Sequence, residues 1–128
     1  MDYQDIIAKA MEAREKAHVP YSHFAVGAAL LAQSGRVYTG CNVENASYGL
    51  SICAERTAVF KAVSEGERDF EAIAVVTEKG VTPCGACRQV LLEFGEDIQV
   101  IVANGAGEYR VFTLRELLPE AFTPKHLE

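Results

Sequence analysis

The chain is acidic: 128 residues with 18 Asp and Glu against 12 Lys and Arg, a formal net charge of −6, and 49% apolar residues. This length and apolar share suffice for one hydrophobic core, so we expect a single domain over residues 1–128. Because the charge is negative and no stripe of basic residues is present, the sequence argues against a nucleic acid polymer as the partner.

The amino-terminal segment and the cysteines indicate the compartment. Residues 1–17 mix acidic with apolar side chains, which fits neither a secretory signal nor a mitochondrial presequence. No later segment reaches the length of a membrane span. We therefore expect a cytoplasmic protein without a membrane partner, whose four cysteines stay reduced and act as ligands, catalysts or core residues.

Hydrophobic periodicity and turn residues predict alternating helices and strands. In chain order, the first half is expected to form a helix over 2–17, a hairpin of strands 24–32 and 37–43, a polar loop over 44–51, a helix over 52–64 and a strand over 72–77.

The second half continues the same alternation. Thr82 followed by Pro83 predicts a helix N-terminus, and this helix should end at Gly95. The remaining elements are expected to be a strand over 100–102, an antiparallel return strand over 109–112, and a short helix opened by a capping box at 113–116 and ended by Pro119. This order predicts one mixed sheet covered by helices.

Three cysteines and one glutamate stand out by position. Cys84 and Cys87 are spaced CxxC at the start of a predicted helix, and Cys53 lies in the first turn of another, two residues before Glu55. Helix N-termini stabilise thiolates, so the two helices could hold a metal ion between them. Three thiolates on zinc leave one tetrahedral position open for water, as in catalytic rather than structural sites. Glu55 would then act as general acid and base, although an isolated glutamate would more often be a surface residue.

Several alternatives remain at this point. A CxxC pair can serve redox chemistry, and Cys41 could close a four-cysteine structural site, although a core role suits its strand position better. Arg56 and Arg88 follow ligand positions and could donate hydrogen bonds to the sulfurs, or they could be ordinary solvated helix residues.

The motifs together resemble cytidine deaminase over nearly the whole chain. They are Pro20-Tyr21-Ser22 with Phe24, Val26 to Leu30, Gly40 to Ala46, Cys53-Ala54-Glu55-Arg56-Thr57-Ala58, Pro83-Cys84-Gly85-Ala86-Cys87-Arg88-Gln89 and Leu117-Leu118-Pro119. CAE followed by PCxxC is also the general pattern of zinc base deaminases. The resemblance implies a three-layer α/β/α sandwich with a central mixed five-stranded sheet, and Cys at position 53 is similar to the homotetrameric branch of the family.

The resemblance also implies a role for each matching residue. One zinc ion per subunit is expected on Cys53, Cys84 and Cys87, with Glu55 as proton shuttle and Arg56 beside the sulfurs. The expected substrate contacts are the pyrimidine on Phe24, the sugar hydroxyls on Asn42 and Glu44, backbone groups near Ala54, and Ala46, Tyr48 and Phe122, which complete sites between the subunits of a homotetramer.

The implied reaction is hydrolytic deamination of cytidine and 2′-deoxycytidine to uridine and 2′-deoxyuridine, with release of ammonia, as in pyrimidine salvage. Zinc-activated water would add to C4 while Glu55 carries protons to N3 and to the departing amine. Two rival functions stay open: deamination of another nucleoside-like substrate, and a zinc-stapled binding domain without catalysis.

Overall fold

The computed structural model describes residues 1–127 and folds them around one central β-sheet. The helices are α1 (Tyr3–Arg14), α2 (Ala54–Ser64), α3 (Gly85–Leu92) and α4 (Leu114–Leu117), and short 3₁₀ turns cover Tyr48–Leu50 and Pro124–Leu127. The strands are β1 (Gly27–Ala32), β2 (Val37–Cys41), β3 (Phe70–Val76), β4 (Gln99–Ala103) and β5 (Tyr109–Thr113).

The five strands form a mixed sheet in the order β2-β1-β3-β4-β5. Strand β1 pairs antiparallel with both β2 and β3, β3 and β4 are parallel, and β5 returns antiparallel beside β4. The pairing confirms the mixed five-stranded sheet and the return strand expected from the short turn after β4. Helix α3 makes the connection between the parallel strands, as such a crossover requires.

Helices cover both faces of the sheet, which confirms the three-layer α/β/α sandwich. On one face, Ile6, Ile7 and Ala10 of α1 are buried against small and aliphatic residues of β1, β3 and β4. On the other face, α2, α3 and α4 bury a larger core that includes Val59 and Leu91. Strands β1 and β3 are apolar on both faces because they lie in the middle of these three layers.

Two glycines allow helices to approach the sheet closely. A Cβ atom at Gly27 would lie 2.0 Å from the carbonyl oxygen of Ala10 in α1. A Cβ atom at Gly40 would lie 2.6 Å from both the Ala54 carbonyl oxygen and the Ala58 nitrogen. Gly40 therefore sets the distance between β2 and the first turns of α2, the helix that follows Cys53.

Several element boundaries differ from the sequence expectation, and each has a local cause. Helix α1 ends at Arg14 rather than at residue 17, because the chain turns so that His18 can pair with Val43. Strand β1 starts at Gly27 rather than at residue 24. Before Gly27, one backbone bond from the Asn42 nitrogen to the Val26 carbonyl remains, and the Asn42 side chain adds bonds to the backbone of Phe24 and Val26.

The start of α3 was predicted wrongly. The helix begins at Gly85 with Cys84 as its N-cap, not at Pro83 after a capping Thr82. The Thr82 hydroxyl instead accepts a hydrogen bond from Arg88, so it does not cap a helix turn. None of the helices in residues 1–127 has the length and hydropathy needed to cross a membrane.

Candidate zinc and substrate site

The site lies at the edge of the sheet where the parallel strands β3 and β4 end. In the sheet register, Val76 at the end of β3 is opposite Gly27 and Ala103, and Gly27 is opposite Cys41. The loop after β2 leads to the N-terminus of α2 at this edge, and the loop after β3 leads to the N-terminus of α3. The carboxyl edge of an open α/β sheet is a common position for ligand sites.

Cys53 and Cys84 are the N-caps of α2 and α3, and Cys87 lies in the first turn of α3. The ligand atoms of these three cysteines all lie within 4.8 Å of one another. The Sγ atoms of Cys53 and Cys84 are 3.8 Å apart, and those of Cys84 and Cys87 are 3.4 Å apart. Tetrahedral zinc with Zn–S bonds of about 2.3 Å places its sulfurs about 3.8 Å apart, so the three side chains fit zinc.

Arg56 supplies positive charge to the sulfurs. Its Nη2 atom donates a hydrogen bond to Cys53 Sγ at 3.3 Å, and its buried Nε has no hydrogen-bond partner among the described residues. Both observations agree with a guanidinium that faces a charge-rich sulfur cluster, as the sequence suggested for Arg56. A donor on a ligand sulfur draws off part of the charge that three thiolates accumulate.

The ionisation of Cys53 is coupled to that of Cys87. A hydrogen bond from Cys87, together with the neighbouring Arg56 guanidinium, lowers the pKa of Cys53 to about 5. The same hydrogen bond to Cys53, with burial and the negative charge of Glu55, raises the pKa of Cys87. Without a metal, Cys53 therefore ionises first and suppresses ionisation of Cys87, so binding of a cation must release protons.

Glu55 is a buried carboxyl group beside these sulfurs. Only 4% of its surface is exposed, and it lies in the first turn of α2. Burial, opposed in part by its own backbone N–H and assisted by the charge of Cys53, raises the pKa of Glu55. A buried carboxyl group with a raised pKa in a cleft is a candidate general acid and base.

A pocket of about 260 Å³ opens beside Glu55. Its lining residues are Phe24, Val26, Asn42, Cys53, Ala54, Glu55, Val75, Thr77, Val81, Thr82, Pro83 and Cys84. The walls are mostly apolar and include a few polar side chains, which is the usual character of a small-molecule site. Three of the expected substrate contacts, Phe24, Asn42 and Ala54, line this pocket.

Asn42 organises the wall that contains Phe24. Its Oδ1 accepts a hydrogen bond from the Val26 nitrogen at 2.9 Å, and its Nδ2 donates to the Phe24 carbonyl at 2.8 Å. Each amide atom can still make one further hydrogen bond. Asn42 thus holds the loop and keeps capacity for a ligand.

Glu44 and Tyr48 line a second cleft beside the pocket, together with Tyr21, Ser22 and Ser51. Glu44 Oε1 accepts from the backbone nitrogens of Tyr21 and Ser22, both at 3.1 Å, and Oε2 accepts from the Ser22 hydroxyl. The hydrogen bond from the Ser22 side chain lowers the pKa of Glu44. Glu44 is therefore a carboxylate that anchors the loop before Phe24.

The two remaining expected contacts lie away from this pocket. Ala46 is exposed on the loop before the 3₁₀ turn. Phe122 is 58% exposed, its ring stacks on His126, and its carbonyl accepts a hydrogen bond from Gln89 at 2.8 Å. Neither side chain lines the pocket of its own chain.

Two alternatives from the sequence do not agree with the geometry. Arg88 donates to Thr82, Pro83 and Leu117 rather than to a sulfur, because its side chain turns back along the loop before α3. Cys41 lines a separate cleft between α1 and α2 and does not belong to the cysteine group found in residues 1–127.

The sequence analysis also missed pocket residues that follow β3. The Thr77 hydroxyl accepts hydrogen bonds from the nitrogens of Gly80 and Val81 and so shapes the turn that brings Val81 and Thr82 to the pocket. A threonine directly after a buried strand and three residues before a glycine was the available signal.

A zinc-binding triad with a buried carboxyl group and a small pocket defines the class of zinc-dependent hydrolases. The family model described as the cytidine and deoxycytidylate deaminase zinc-binding region matches residues 1–104. This chain belongs to that cytidine deaminase family.

Relatives support the assignment along the whole chain. Cytidine deaminase of Halalkalibacterium halodurans is 56% identical over 130 aligned positions, which cover 99% of this chain and 98% of the relative. That of Sporosarcina psychrophila is 53% identical and covers 99% and 96%. The crystal structure of cytidine deaminase from Burkholderia pseudomallei superposes with a TM-score of 0.92 at 53% identity and covers 95% of this chain and all of that one.

The lowered pKa of Cys53 predicts unusual thiol reactivity in the metal-free protein. Because the thiolate form persists down to the pKa of about 5, alkylation of Cys53 by iodoacetamide should reach half of its maximal rate near pH 5. An ordinary cysteine does so near its pKa of about 8.5. Quantitative peptide mapping across a pH series measures the half-point.

Two controls complete the alkylation experiment. Addition of zinc should protect Cys53, and Arg56→Met should move the half-point upward because the cation that favours the thiolate is removed. Circular dichroism would verify that the metal-free protein keeps its secondary structure. A half-point between pH 8 and 9 in folded wild-type protein would contradict the described electrostatics.

Proposed function

We propose that this protein hydrolyses cytidine and 2′-deoxycytidine to the corresponding uridines and ammonia, with Glu55 as the catalytic acid and base. The observation that carries the proposal is the position of a buried carboxyl group in the same pocket as Cys53 and Cys84. One zinc ion per subunit on Cys53, Cys84 and Cys87 would supply Lewis acidity that lowers the pKa of a water molecule in its open position.

Glu55 performs the proton transfers of this reaction. It accepts a proton from the attacking water and delivers that proton to N3 of the pyrimidine as C4 is attacked. It then takes the proton of the new C4 hydroxyl group and passes it to the departing amine, so that the C4–N bond breaks and the C4 carbonyl forms. The net change is one water consumed and one ammonia released. The raised pKa of Glu55 suits this cycle because the group must be both base and acid at one pH.

The remaining pocket residues fit a free nucleoside. Phe24 would offer an aromatic face to the base, Ala54 would offer the backbone N–H of the first helical residue, which has no partner within the helix, and Asn42 with Glu44 would bind the sugar hydroxyls. A carboxylate at the sugar would repel a phosphate, and none of the described pocket residues is basic. We therefore favour a nucleoside over a nucleotide.

We further propose a homotetramer in which neighbouring subunits complete each pocket. The support is the large exposed fraction of apolar groups around the site, 73% for Tyr48 and 66% for Leu50. Apolar groups of this size are commonly covered by a partner. Ala46, Tyr48 and Phe122 would be the residues that reach a neighbouring pocket. A three-thiolate site also requires reduced cysteines, which supports a cytoplasmic location.

Glu55→Gln should lower kcat for cytidine about 10²- to 10⁴-fold while the bound zinc and the fold remain, because the amide cannot move the proton. Ammonia release and zinc content measured on the same sample provide the test. Glu71→Gln, at an exposed residue of β3, is the matched control and should keep full activity. Full turnover by the Glu55→Gln protein would eliminate the shuttle role.

The substrate class is tested with the same assay. Cytidine and 2′-deoxycytidine should release ammonia, whereas 2′-deoxycytidine monophosphate and free cytosine should react far more slowly. Faster turnover of the monophosphate would replace the nucleoside proposal with a nucleotide one.

Subunit complementation tests the shared site. Phe122→Ala chains should have weakened binding, and Glu55→Gln chains should be inactive, but mixed tetramers would contain sites that combine an intact Glu55 with a neighbour's intact Phe122. Refolding the two variants together should therefore raise ammonia release above the sum of the separate samples. No gain in mixtures shown by native mass spectrometry to be hybrid would exclude a contribution of Phe122 between subunits.

A further inference from the structure

The segment that precedes Cys84 has an unusual task. Residues 81–83 form part of the pocket wall, and the next residue supplies a metal ligand, yet the segment belongs to no helix or strand. At its start, the Thr77 hydroxyl holds the turn through Gly80 and Val81. Its end needs a second restraint, because a metal site retains its ion only when the ligands are held in place.

The usual restraint at a helix start is not available at Cys84. An N-cap side chain normally accepts a hydrogen bond from the second or third helical nitrogen. Cys84 is the N-cap of α3 but makes no such bond, since its sulfur lies among the other ligand sulfurs. Pro83 has no N–H to donate. The loop must therefore be fixed by another group.

Arg88 makes that connection. Its Nε donates to the Pro83 carbonyl at 2.7 Å, and its Nη2 donates to the Thr82 hydroxyl at 2.8 Å. Its Nη1 donates at 2.6 Å to the carbonyl of Leu117, the last residue of α4. One planar guanidinium thus joins the ligand loop to a helix that belongs to the packed layer beneath it.

We propose that Arg88 is a positioning residue that fixes the Thr82–Cys84 loop against α4 and thereby keeps the Cys84 ligand and the pocket wall in place. The inference rests on the zinc site of the proposed function. It assigns Arg88 a different task from Arg56, which bonds a sulfur directly. The three partners of Arg88 are two carbonyl oxygens and a hydroxyl, so its role depends on hydrogen-bond geometry rather than on charge alone.

The rate of zinc release from the fully loaded protein shows whether the hydrogen-bond geometry of Arg88 or its positive charge matters. Arg88→Met, which removes every donor, should accelerate release to a chromogenic chelator about 10- to 100-fold, the usual effect of losing a residue that supports metal ligands. Arg88→Lys keeps the positive charge but cannot span three acceptors in one plane. Its release rate should lie within threefold of the Met variant, and cytidine KM should rise in both variants because the pocket wall moves.

Two further variants sharpen the test. Arg68→Met is the matched control, since Arg68 also donates to backbone carbonyls but lies on the surface after α2, and its zinc release should equal that of wild type. Thr82→Val removes one partner of Arg88 without a change of charge and should accelerate release several-fold. In combination with Arg88→Met it should add almost nothing, because both changes break the same contact.

Two results would contradict the proposed role of Arg88. Wild-type release rates in Arg88→Lys would show that charge suffices and would overturn the proposal, as would additive effects of Thr82→Val and Arg88→Met. If Arg88→Met does not fold, Arg88→Lys and Thr82→Val carry the test. Zinc release is measured without substrate, so a wild-type protein that fails to release ammonia from cytidine would refute the proposed function and leave this result standing.

Discussion

Two helices that each have a cysteine as N-cap impose the central constraint on this structure. Cys53 and Cys84 are N-caps whose side chains make no capping hydrogen bond, and their sulfurs lie 3.8 Å apart. A capping serine or aspartate at such a position typically contributes about 1 kcal/mol. Neither α2 nor α3 has this capping hydrogen bond. Instead, the N-termini of both helices, which favour negative charge, face the three sulfurs.

Other contacts hold the two N-termini together. Gly40 lets α2 approach β2 closely, and Arg88 joins the loop before α3 to the end of α4. On the opposite wall, Asn42 and Glu44 bind the backbone around Phe24. These polar side chains bond loop backbone at the sheet edge, where the pocket is surrounded by loops.

The electrostatics of the sulfur cluster and of Glu55 depend on each other. Arg56 favours the thiolate of Cys53, whereas the charge of that thiolate and the burial of Glu55 both favour a protonated carboxyl group. A bound divalent cation would favour the ionised forms of both Cys53 and Glu55, and so would oppose the effect of burial and of the thiolate charge on Glu55. The sulfur cluster and Glu55 are therefore electrostatically coupled within one small pocket.

Sequence reasoning succeeded where the pattern was local and failed where a side chain reached across the fold. The placement of Cys53, Cys84 and Cys87 at the N-termini of two helices, and the mixed sheet, followed from spacing and hydrophobic periodicity, although Cys53 and Cys84 are N-caps rather than residues of the first turn. The predicted start of α3 was wrong because the capping rule could not anticipate that the Thr82 hydroxyl accepts a hydrogen bond from Arg88. The contact between Gln89 and the carbonyl of Phe122 joins residues 33 positions apart and had no sequence signal.

X-ray absorption at the zinc edge of the purified protein measures which atoms coordinate the metal. We expect three sulfur neighbours at about 2.3 Å and one lighter atom at about 2.0 Å, with one zinc per chain. Addition of a hydrated pyrimidine nucleoside, which imitates the transition state, should change the lighter atom and leave the sulfur shell intact. Four sulfur neighbours, or a zinc ion without sulfur, would contradict an open three-thiolate site.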